Sequence, residues 1–423
     1  MEATESATYS GPNQAYEKPP RLTGIGICRG SLHERSRADG GAGLVSGLME
    51  NRDWDIAADV VRQANLENPA DAVLRAVLKK QRELLPEESR AVSRAVFAYY
   101  RWKGWLDGGD GMFKRLAQAD ELQQRFTHRP ASFSETELRA RSVPEWTAQA
   151  MEAPVAWVRA LQAEPRLWLR AHAGQGRVLA EKLGDCWVPE QAALADAVEY
   201  RGTENLFATP EFHAGEFEVQ DISSQAVGLL CAPQPGETWW DACAGEGGKL
   251  LHLSDLMRNK GLIWASDRAD WRLKKLKRRT ARAKVFNYRA VVWDGGAKPP
   301  TKTKFDGVLV DAPCSGLGTW QRNPHARWTT TPEDVRELGE LQIQLLTHAA
   351  GSVKPGGKLV YSVCTLTRAE TVEVAEAFAR QFPEFQPLPL THPMNASVPA
   401  SPHVWMWPQE DGGNGMFVAA WQR

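Results

Sequence analysis

Two stretches of the chain decide the fold: FDGVLVDAPC at residues 305–314 and GKLVYSVCT at residues 357–365. Each is an apolar, strand-like run that ends in polar residues and a cysteine. In a parallel α/β sheet, ligands bind outside the carboxyl ends of the strands, so we expect Cys314 and Cys364 to reach the same crevice. Asp311 ends the first run and adds a carboxylate there. Few chemistries use two thiols and a carboxylate at one site.

The composition predicts a soluble globular protein of two or three domains, because 423 residues with 43% hydrophobic and 24% charged side chains are ordinary for that class. Six cysteines lie far apart without a CxxC pair, which argues against a metal site or a disulfide scaffold and favours a reducing, cytoplasmic setting. No run approaches the ~18 apolar residues that a membrane span requires. A net charge of −1 does not exclude nucleic acid, because a whole-chain sum hides local basic patches.

The chain divides into four predicted regions. Residues 1–48 are poor in large apolar groups and are expected to be a disordered tail, with Met49 as a possible alternative start. Residues 49–125 carry apolar side chains at spacings of three and four, which predicts a small helical domain. Residues 126–215 mix short helical and extended patterns. Residues 216–423 alternate strands and helices, which is typical of a doubly wound parallel sheet.

Within the last region, the order of strands and helices follows from alternating apolar runs and helical periodicity. Strands are predicted at residues 237–241, 261–267, 288–293, 305–311 and 358–362, with helices at 271–284 and 332–350. Residues 415–421 are expected to form a closing strand.

A glycine-rich turn follows the first of these strands and predicts a ligand site. Its residues are Asp241, Ala242, Cys243, Ala244, Gly245, Glu246, Gly247, Gly248 and Lys249. Glycines let the backbone approach a ligand, and Asp267 closes the next strand, where a carboxylate can accept ribose hydroxyls. Asp294 closes the third strand in the same way. A dinucleotide fits these features, but Glu246 would repel a pyrophosphate, so S-adenosylmethionine is the favoured cofactor.

Four motifs together resemble the RNA cytosine-5 methyltransferases of the Nop/Sun type, which include the bacterial RsmB-like ribosomal RNA enzymes. They are VQDISSQ at 219–225, the turn at 241–249, DAPCSGLG at 311–318 and YSVCTLT at 361–367. The resemblance implies an α/β fold: a class I, Rossmann-like methyltransferase sheet closed by an antiparallel strand. A helical NusB-like domain and a mixed α+β region would precede it. Three positions depart from the family: Gly245-Glu246 replaces Ala-Pro, Thr371 replaces Asn, and His172 replaces Asn.

The resemblance also implies roles for individual residues. Cys364 would be the nucleophile and Cys314 the residue that assists release, while Asp311 would bond the base edge or the cofactor and Lys249 would lie near the reacting ring. A thiolate at C6 of cytosine makes C5 nucleophilic enough to accept a methyl group. The expected cofactor-binding residues are Asp241, Cys243, Ala244, Gly245, Glu246, Gly247, Gly248, Lys249, Asp267, Arg272, Asp294 and Asp311. The partner would be RNA, with ribosomal RNA favoured over transfer RNA, no membrane and no obligate protein partner.

Other hypotheses remain open at this point. The same fold could serve a non-catalytic ribosome-assembly factor, whereas DNA cytosine-5 methylation fits less well because its Phe-x-Gly-x-Gly and Glu-Asn-Val motifs are absent. The basic run from Arg268 to Lys284 is either an RNA contact or a solvated helix face. Trp320 and Trp328 are candidate substrate contacts. Three further cysteines are expected to be inert: Cys28, Cys186 and Cys231.

Overall fold

The structure, a computed structural model, describes residues 49–81 and 83–423. The predicted tail at 1–48, including Cys28, lies outside the described residues. The helices are α1 (Asn51–Gln63), α2 (Ala70–Lys80), α3 (Pro86–Trp102), α4 (Met112–His128), α5 (Glu135–Arg141), α6 (Thr147–Ala150), α7 (Val155–Ala160), α8 (Gly176–Leu183), α9 (Pro210–Ala214), α10 (Ile222–Cys231), α11 (Gly248–Leu256), α12 (Asp270–Arg282), α13 (Pro332–Ala350), α14 (Val372–Gln381) and α15 (Pro408–Asp411). The strands are β1 (Leu167–Ala171), β2 (Cys186–Trp187), β3 (Ala197–Tyr200), β4 (Phe217–Val219), β5 (Thr238–Asp241), β6 (Leu262–Asp267), β7 (Tyr288–Val292), β8 (Phe305–Asp311), β9 (Val353–Val363), β10 (Gln386–Pro387), β11 (His403–Met406) and β12 (Met416–Gln422).

The first four helices pack around one apolar core, as the spacing of their apolar residues predicts. α3 begins at Pro86, whose missing N–H costs nothing in a first turn, and buries Val92 and Val96. The region boundary predicted at residue 125 falls inside α4. That helix continues to His128 because Leu116 and Phe126, more than two turns apart, bury the same face in this core.

A small antiparallel sheet with strand order β2-β3-β1-β4 stands between the helices and the large sheet. β4 pairs with β1, with Leu169 opposite Val219. The boundary predicted at residue 216 therefore precedes a strand that belongs to the small sheet. The short, weakly alternating run of β4 did not distinguish it from the strands that follow.

The large sheet has the order β10-β12-β9-β8-β5-β6-β7, and β11 pairs with β12. β7, β6, β5, β8 and β9 are parallel to their neighbours, whereas β12 is antiparallel to β9. The chain runs from β5 outward to β7 and then returns to the other side of β5 for β8. This reversal opens a crevice at the carboxyl ends of β5 and β8. The predicted doubly wound sheet with a closing antiparallel strand is confirmed.

β9 is longer than predicted. Phe305 pairs with Val353 and Gly307 with Lys358, so residues 354–357 bulge opposite Asp306. Gly356 has φ +77, a conformation that glycine adopts without strain and that permits this bulge. The Pro-Gly-Gly run at 355–357 had suggested a strand that begins only at Lys358.

One buried arginine joins the helical region to the large-sheet region. Arg327 lies in a short 3₁₀ helix, Ala326–Trp328, and is fully buried. Its four terminal N–H groups donate to four carbonyl oxygens: Arg101 and Ser142 from Nη1, and Leu161 and Trp320 from Nη2. The first three carbonyls belong to the carboxyl ends of α3, α5 and α7, where helix dipoles concentrate negative charge. We call this contact the Arg327 junction.

In residues 49–81 and 83–423, no helix combines the length and the apolar character needed to cross a lipid bilayer.

Candidate active site

The two cysteines singled out from the sequence meet at the carboxyl edge of the sheet, where the Sγ atoms of Cys314 and Cys364 lie 3.3 Å apart. Adjacent parallel strands bring them together: Asp311 is in register with Ser362, and each cysteine follows within three residues. The pKa of the Cys314 thiol is raised well above its ordinary value, first because it hydrogen-bonds to Cys364 and then because it is buried. Cys314 is thus a neutral thiol that can donate to its neighbour.

The loop after Cys314 is fixed by backbone contacts that need glycine. Gly318 N donates to the carbonyl of Cys364 at 3.1 Å, and Gly415 N donates to the carbonyl of Gly318 at 2.8 Å. A Cβ on Gly318 would lie 1.9 Å from the carbonyl oxygen of Gly415, so a side chain cannot be accommodated there. The start of β12 therefore helps to hold the Cys314 loop against Cys364.

A partly buried ion pair lies next to the thiols. Lys249 Nζ donates to Asp311 Oδ2 at 2.7 Å, and Ser362 Oγ donates to Asp311 Oδ1 at 2.7 Å. Burial alone would lower the pKa of Lys249, but the Asp311 carboxylate outweighs that effect and Cys364 and Asp241 add to it, so the pKa is raised. The ammonium therefore stays charged beside the carboxylate and within electrostatic range of Cys364.

The crevice beside this ion pair has an unsatisfied carboxylate. Asp241 is 1% exposed, and neither of its oxygens forms a hydrogen bond of normal geometry with a described residue, although the amide of Cys243 is near. Burial raises the pKa of Asp241 to about 8, and the neighbouring Asp311 adds to the shift. A buried acceptor without a partner is costly, so this position fits a ligand that brings an N–H donor.

The turn between β5 and α11 fits a nucleoside ligand. Gly245 and Gly247 have φ +55 and +89, which let the turn fold back toward β6. Gly245 N donates to Asp267 Oδ2 at 3.1 Å, and Arg272 Nη1 lies 3.5 Å from the same oxygen. Asp267 keeps lone pairs for ribose hydroxyls, because each carboxylate oxygen can accept more than one bond. Asp241 and Asp267 therefore offer acceptor oxygens of the kind that an amino group and ribose hydroxyls need.

Two expected cofactor residues lie further out. Glu246 forms an ion pair with Lys275 at 2.7 Å, so its charge is balanced and the repulsion of a pyrophosphate is weaker than the sequence suggested. Asp294 is exposed after β7, and its Oδ1 accepts the amide of Gly296 at 2.8 Å. Neither residue excludes a ligand from the turn.

Glu370 is a member of the site that sequence reasoning missed. Its side chain is fully buried and accepts hydrogen bonds from both cysteine loops: the amide of Ser315 donates at 2.7 Å and Thr365 Oγ1 at 3.0 Å. The sequence feature that could have indicated Glu370 is its position six residues after Cys364, between threonines and the start of α14. A single glutamate at that place looks like an ordinary first-turn residue.

The prediction that Trp320 contacts the substrate is wrong. Its ring is 0% exposed and packs against Trp146 and Trp157 in the core that joins the helices to the large sheet. Trp328 is half-buried and donates from Nε1 to the carbonyl of Tyr100 at 2.6 Å, so it belongs to the same junction. Rings that follow a site motif pack inward here because the helical region covers them.

His172, which replaces an Asn that is common in the family, forms its hydrogen bonds with residues outside the thiol pair. Its Nδ1 lies 2.9 Å from Asp255 Oδ1 and its Nε2 lies 2.8 Å from the carbonyl oxygen of Gly215. Both neighbours are acceptors, so the ring satisfies both when it is doubly protonated. The hydrogen bond to Asp255 raises the pKa of His172.

The basic run forms α12, and much of its charge is used inside the molecule. Arg279 and Arg282 both pair with Glu218, while Lys274 pairs with Asp270. Within residues 49–81 and 83–423, neither Lys277 nor Arg278 forms an ion pair. A role of this helix in RNA binding stays a prediction.

Within the same described ranges, no cluster of three or more His, Cys, Asp and Glu side chains could hold a metal ion. Cys231 is fully buried and Cys186 is half-buried.

The strand order, the glycine turn and the acids at the strand ends define a class I methyltransferase fold. Residues 228–422 match the sequence model of the 16S rRNA methyltransferase RsmB/F family. This match supports the resemblance drawn from the four motifs. It also supports S-adenosylmethionine as the cofactor.

Two curated relatives and one solved structure illustrate the similarity. A probable ribosomal RNA small subunit methyltransferase B of Synechocystis sp. is 39% identical over 50% of this chain and 48% of its own. A protein of the same description from Bacillus subtilis is 36% identical over 58% and 56%. The chain thus spans about half the length of these relatives. The crystal structure of a methyltransferase homolog protein from Pyrococcus horikoshii matches with a TM-score of 0.54 at 27% identity, covering 64% of this chain and 90% of that one.

Proposed function

We propose that this protein is an S-adenosylmethionine-dependent RNA methyltransferase that acts at C5 of a cytosine through a covalent bond between a cysteine and C6. The observation that carries the proposal is the pair of thiols 3.3 Å apart beside the Lys249–Asp311 ion pair. A non-covalent methyl transfer to a nitrogen or oxygen atom needs no such pair. The family match and the names of the relatives support an RNA substrate.

In the first step, the Cys364 sulfur attacks C6 of the cytosine and forms an S–C6 bond, and the ring electrons shift toward C5. Lys249, held by Asp311, balances the negative charge that the attack brings into the crevice. The base must leave its stack to reach the thiols, so a loop or otherwise unstacked cytosine is the expected target.

When bound between Asp241 and Asp267, S-adenosylmethionine supplies the methyl group that C5 accepts. A solvent water molecule would take the C5 proton, whose electron pair re-forms the C5–C6 double bond as the S–C6 bond breaks and Cys364 leaves as a thiolate. Cys314 lies within hydrogen-bond distance of Cys364, so it can return a proton to the departing sulfur. The resemblance to the family assigns Cys364 as the nucleophile and Cys314 as the residue that assists release, and the raised pKa of the Cys314 thiol supports this proposal.

Ribosomal RNA is favoured as the substrate because the curated relatives are described as acting on the small-subunit RNA, with transfer RNA as the second possibility. A cytoplasmic setting, where assembling ribosomes and reduced thiols coexist, is part of the same proposal.

The test compares 5-methylcytosine maps of total RNA from cells with and without the gene, by bisulfite sequencing. Loss of one or a few ribosomal sites in the deletion is the expected result, and identical maps under conditions of expression contradict the proposal. Calorimetry with S-adenosylmethionine separates an enzyme from a non-catalytic assembly factor, since the latter would give no heat. Label transfer to duplex DNA in place of RNA would favour the DNA hypothesis.

A further inference from the structure

Glu370 has an unusual position for a charged side chain. It is 0% exposed and accepts bonds from three separate segments: the loop after β8, the loop after β9, and α13. The donors are the amide and Oγ of Ser315, Thr365 Oγ1, Thr367 Oγ1 and Gln342 Nε2, the last three at 3.0, 2.9 and 3.1 Å. All of these groups donate, which is the pattern of an ionised carboxylate.

Glu370 lies among neutral partners. Within residues 49–81 and 83–423, no Lys, Arg or His forms an ion pair with Glu370. Burial raises the pKa of Glu370, and the hydrogen bonds from Ser315, Thr367 and Thr365 oppose that shift because they favour the ionised carboxylate. These bonds are therefore what keeps a carboxylate at this buried position.

The bonding pattern connects the two thiols. Ser315 directly follows Cys314 and Thr365 directly follows Cys364, and their hydroxyl oxygens lie 3.0 Å apart. Both cysteine loops thus form hydrogen bonds with the same carboxylate. Any change in that carboxylate moves the loops relative to each other.

We propose that Glu370 is a positioning residue of the reaction centre: its carboxylate ties the loops of Cys314 and Cys364 to one point and sets the distance between their sulfurs. This inference deepens the proposed function and rests on it for its catalytic consequence.

The charge acts on Cys314 from close range. Glu370 is one of the groups that raise the pKa of the Cys314 thiol, after the hydrogen bond to Cys364 and burial. The other ionisable groups near the pair are Cys364, Tyr361, Asp311 and the cationic Lys249. A like charge nearby disfavours a thiolate, so Glu370 holds Cys314 as the neutral proton donor that release of the product needs.

The first experiment measures the pH at which each cysteine is half-alkylated by iodoacetamide, by peptide mass spectrometry on the full chain. In Glu370→Gln the midpoint for Cys314 is expected to fall by about one pH unit, because a negative charge has been removed. Glu373→Gln is the control: it removes an exposed charge three residues away and should leave the midpoint unchanged. An unchanged Cys314 midpoint in folded Glu370→Gln would refute the role of the charge.

A second pair of variants keeps the charge and loosens one loop at a time. Ser315→Ala and Thr365→Ala each remove a hydroxyl bond to Glu370. The rate at which diamide, a thiol oxidant, joins the two cysteines in a disulfide should fall at least about tenfold, since the sulfurs lose their preset approach. Wild-type rates in both variants would overturn the proposal even where Glu370→Gln does not fold. Neither assay needs RNA or cofactor, so either can succeed where the methylation proposal fails.

Discussion

The thiol crevice and the Arg327 junction both bury charge, but they use it differently. At the Arg327 junction, the four terminal N–H groups of a fully buried guanidinium donate to backbone carbonyls. In the crevice, Lys249 and Asp311 are 11% and 27% exposed, and the Asp241 oxygens form no hydrogen bond of normal geometry with a described residue. The junction satisfies all N–H groups of its guanidinium except Nε–H within the described residues, whereas the crevice leaves acceptor oxygens available to a ligand. We therefore expect the first to control stability and the second to control chemistry.

The largest expected effect separates the two cysteines of the crevice. Cys364→Ala should lower methylation by about 10³-fold or more, because no other thiol takes its place at C6. Cys314→Ala should instead accumulate a protein–RNA adduct, visible as a slower band on a denaturing gel, since release lacks its proton donor. Cys186→Ala serves as the control and should behave as wild type. The reverse pattern would assign the nucleophile to Cys314.

The second effect concerns the charge balance of the crevice. Lys249→Met should reduce methylation by about 10²-fold, since it removes the cation that faces the developing charge. The matched control is Lys354→Met, which breaks a similar pair with Asp306 at the opposite end of the same two strands, 2.8 Å apart and well exposed. Its rate should stay within about twofold. If single-turnover assays gave equal losses of methylation rate for the two variants, the Lys249–Asp311 pair would have no special role in catalysis.

The third effect belongs to the Arg327 junction and should appear in stability. Arg327→Met leaves four buried carbonyls without their donor and is expected to lower the free energy of unfolding by about 3 kcal/mol or more. Arg336→Met, which removes an exposed arginine paired with exposed Glu333 and Glu340, should leave the free energy of unfolding nearly unchanged. Urea unfolding followed by tryptophan fluorescence measures both. A loss below about 1 kcal/mol for Arg327→Met would show that the helix ends do not depend on this guanidinium.

The smallest effect is a pH dependence set by His172, whose pKa is raised by Asp255. The folded protein binds this proton more tightly than the unfolded chain does. The stabilisation of the folded state by protonated His172 is therefore complete below about pH 6.5, and it is lost as pH rises through the pKa of the folded state. His172→Asn should flatten this part of the unfolding profile between about pH 6 and 9. The side chain is 39% exposed, so solvent screening keeps the effect small. His128→Asn, an exposed control, should preserve the wild-type slope.

Strand ends were predictable from sequence because their signal is local. An apolar run that ends in Asp311 or Cys364 predicts both a strand and the edge of the sheet at which the polar residue lies. The register between β8 and β9 then brings these residues together. The glycine turn at 245–248 was predictable for the same reason, since its conformation depends on its own residues.

Glu370 and Trp320 were not predictable because their environments come from distant parts of the chain. Trp320 is buried by Trp146 and Trp157, which precede it by more than 160 residues. Glu370 takes its bonds from residues 315, 342, 365 and 367, and no periodicity connects them. The boundary placed at residue 125 failed for a related reason: α4 continues because its far end packs into a core made by other helices.

The position of β12 has a consequence for the order in which the living cell obtains a working reaction centre. β12 lies between β9 and the short edge strands β10 and β11, and Gly415 at its start supports the Cys314 loop. A ribosome makes this strand after every other described element, and until then β9 presents an open hydrogen-bonding edge. Both cysteines therefore exist in the nascent chain well before they are held in place. The reaction centre is a late product of synthesis, and a stalled or shortened chain would carry its thiols without their alignment.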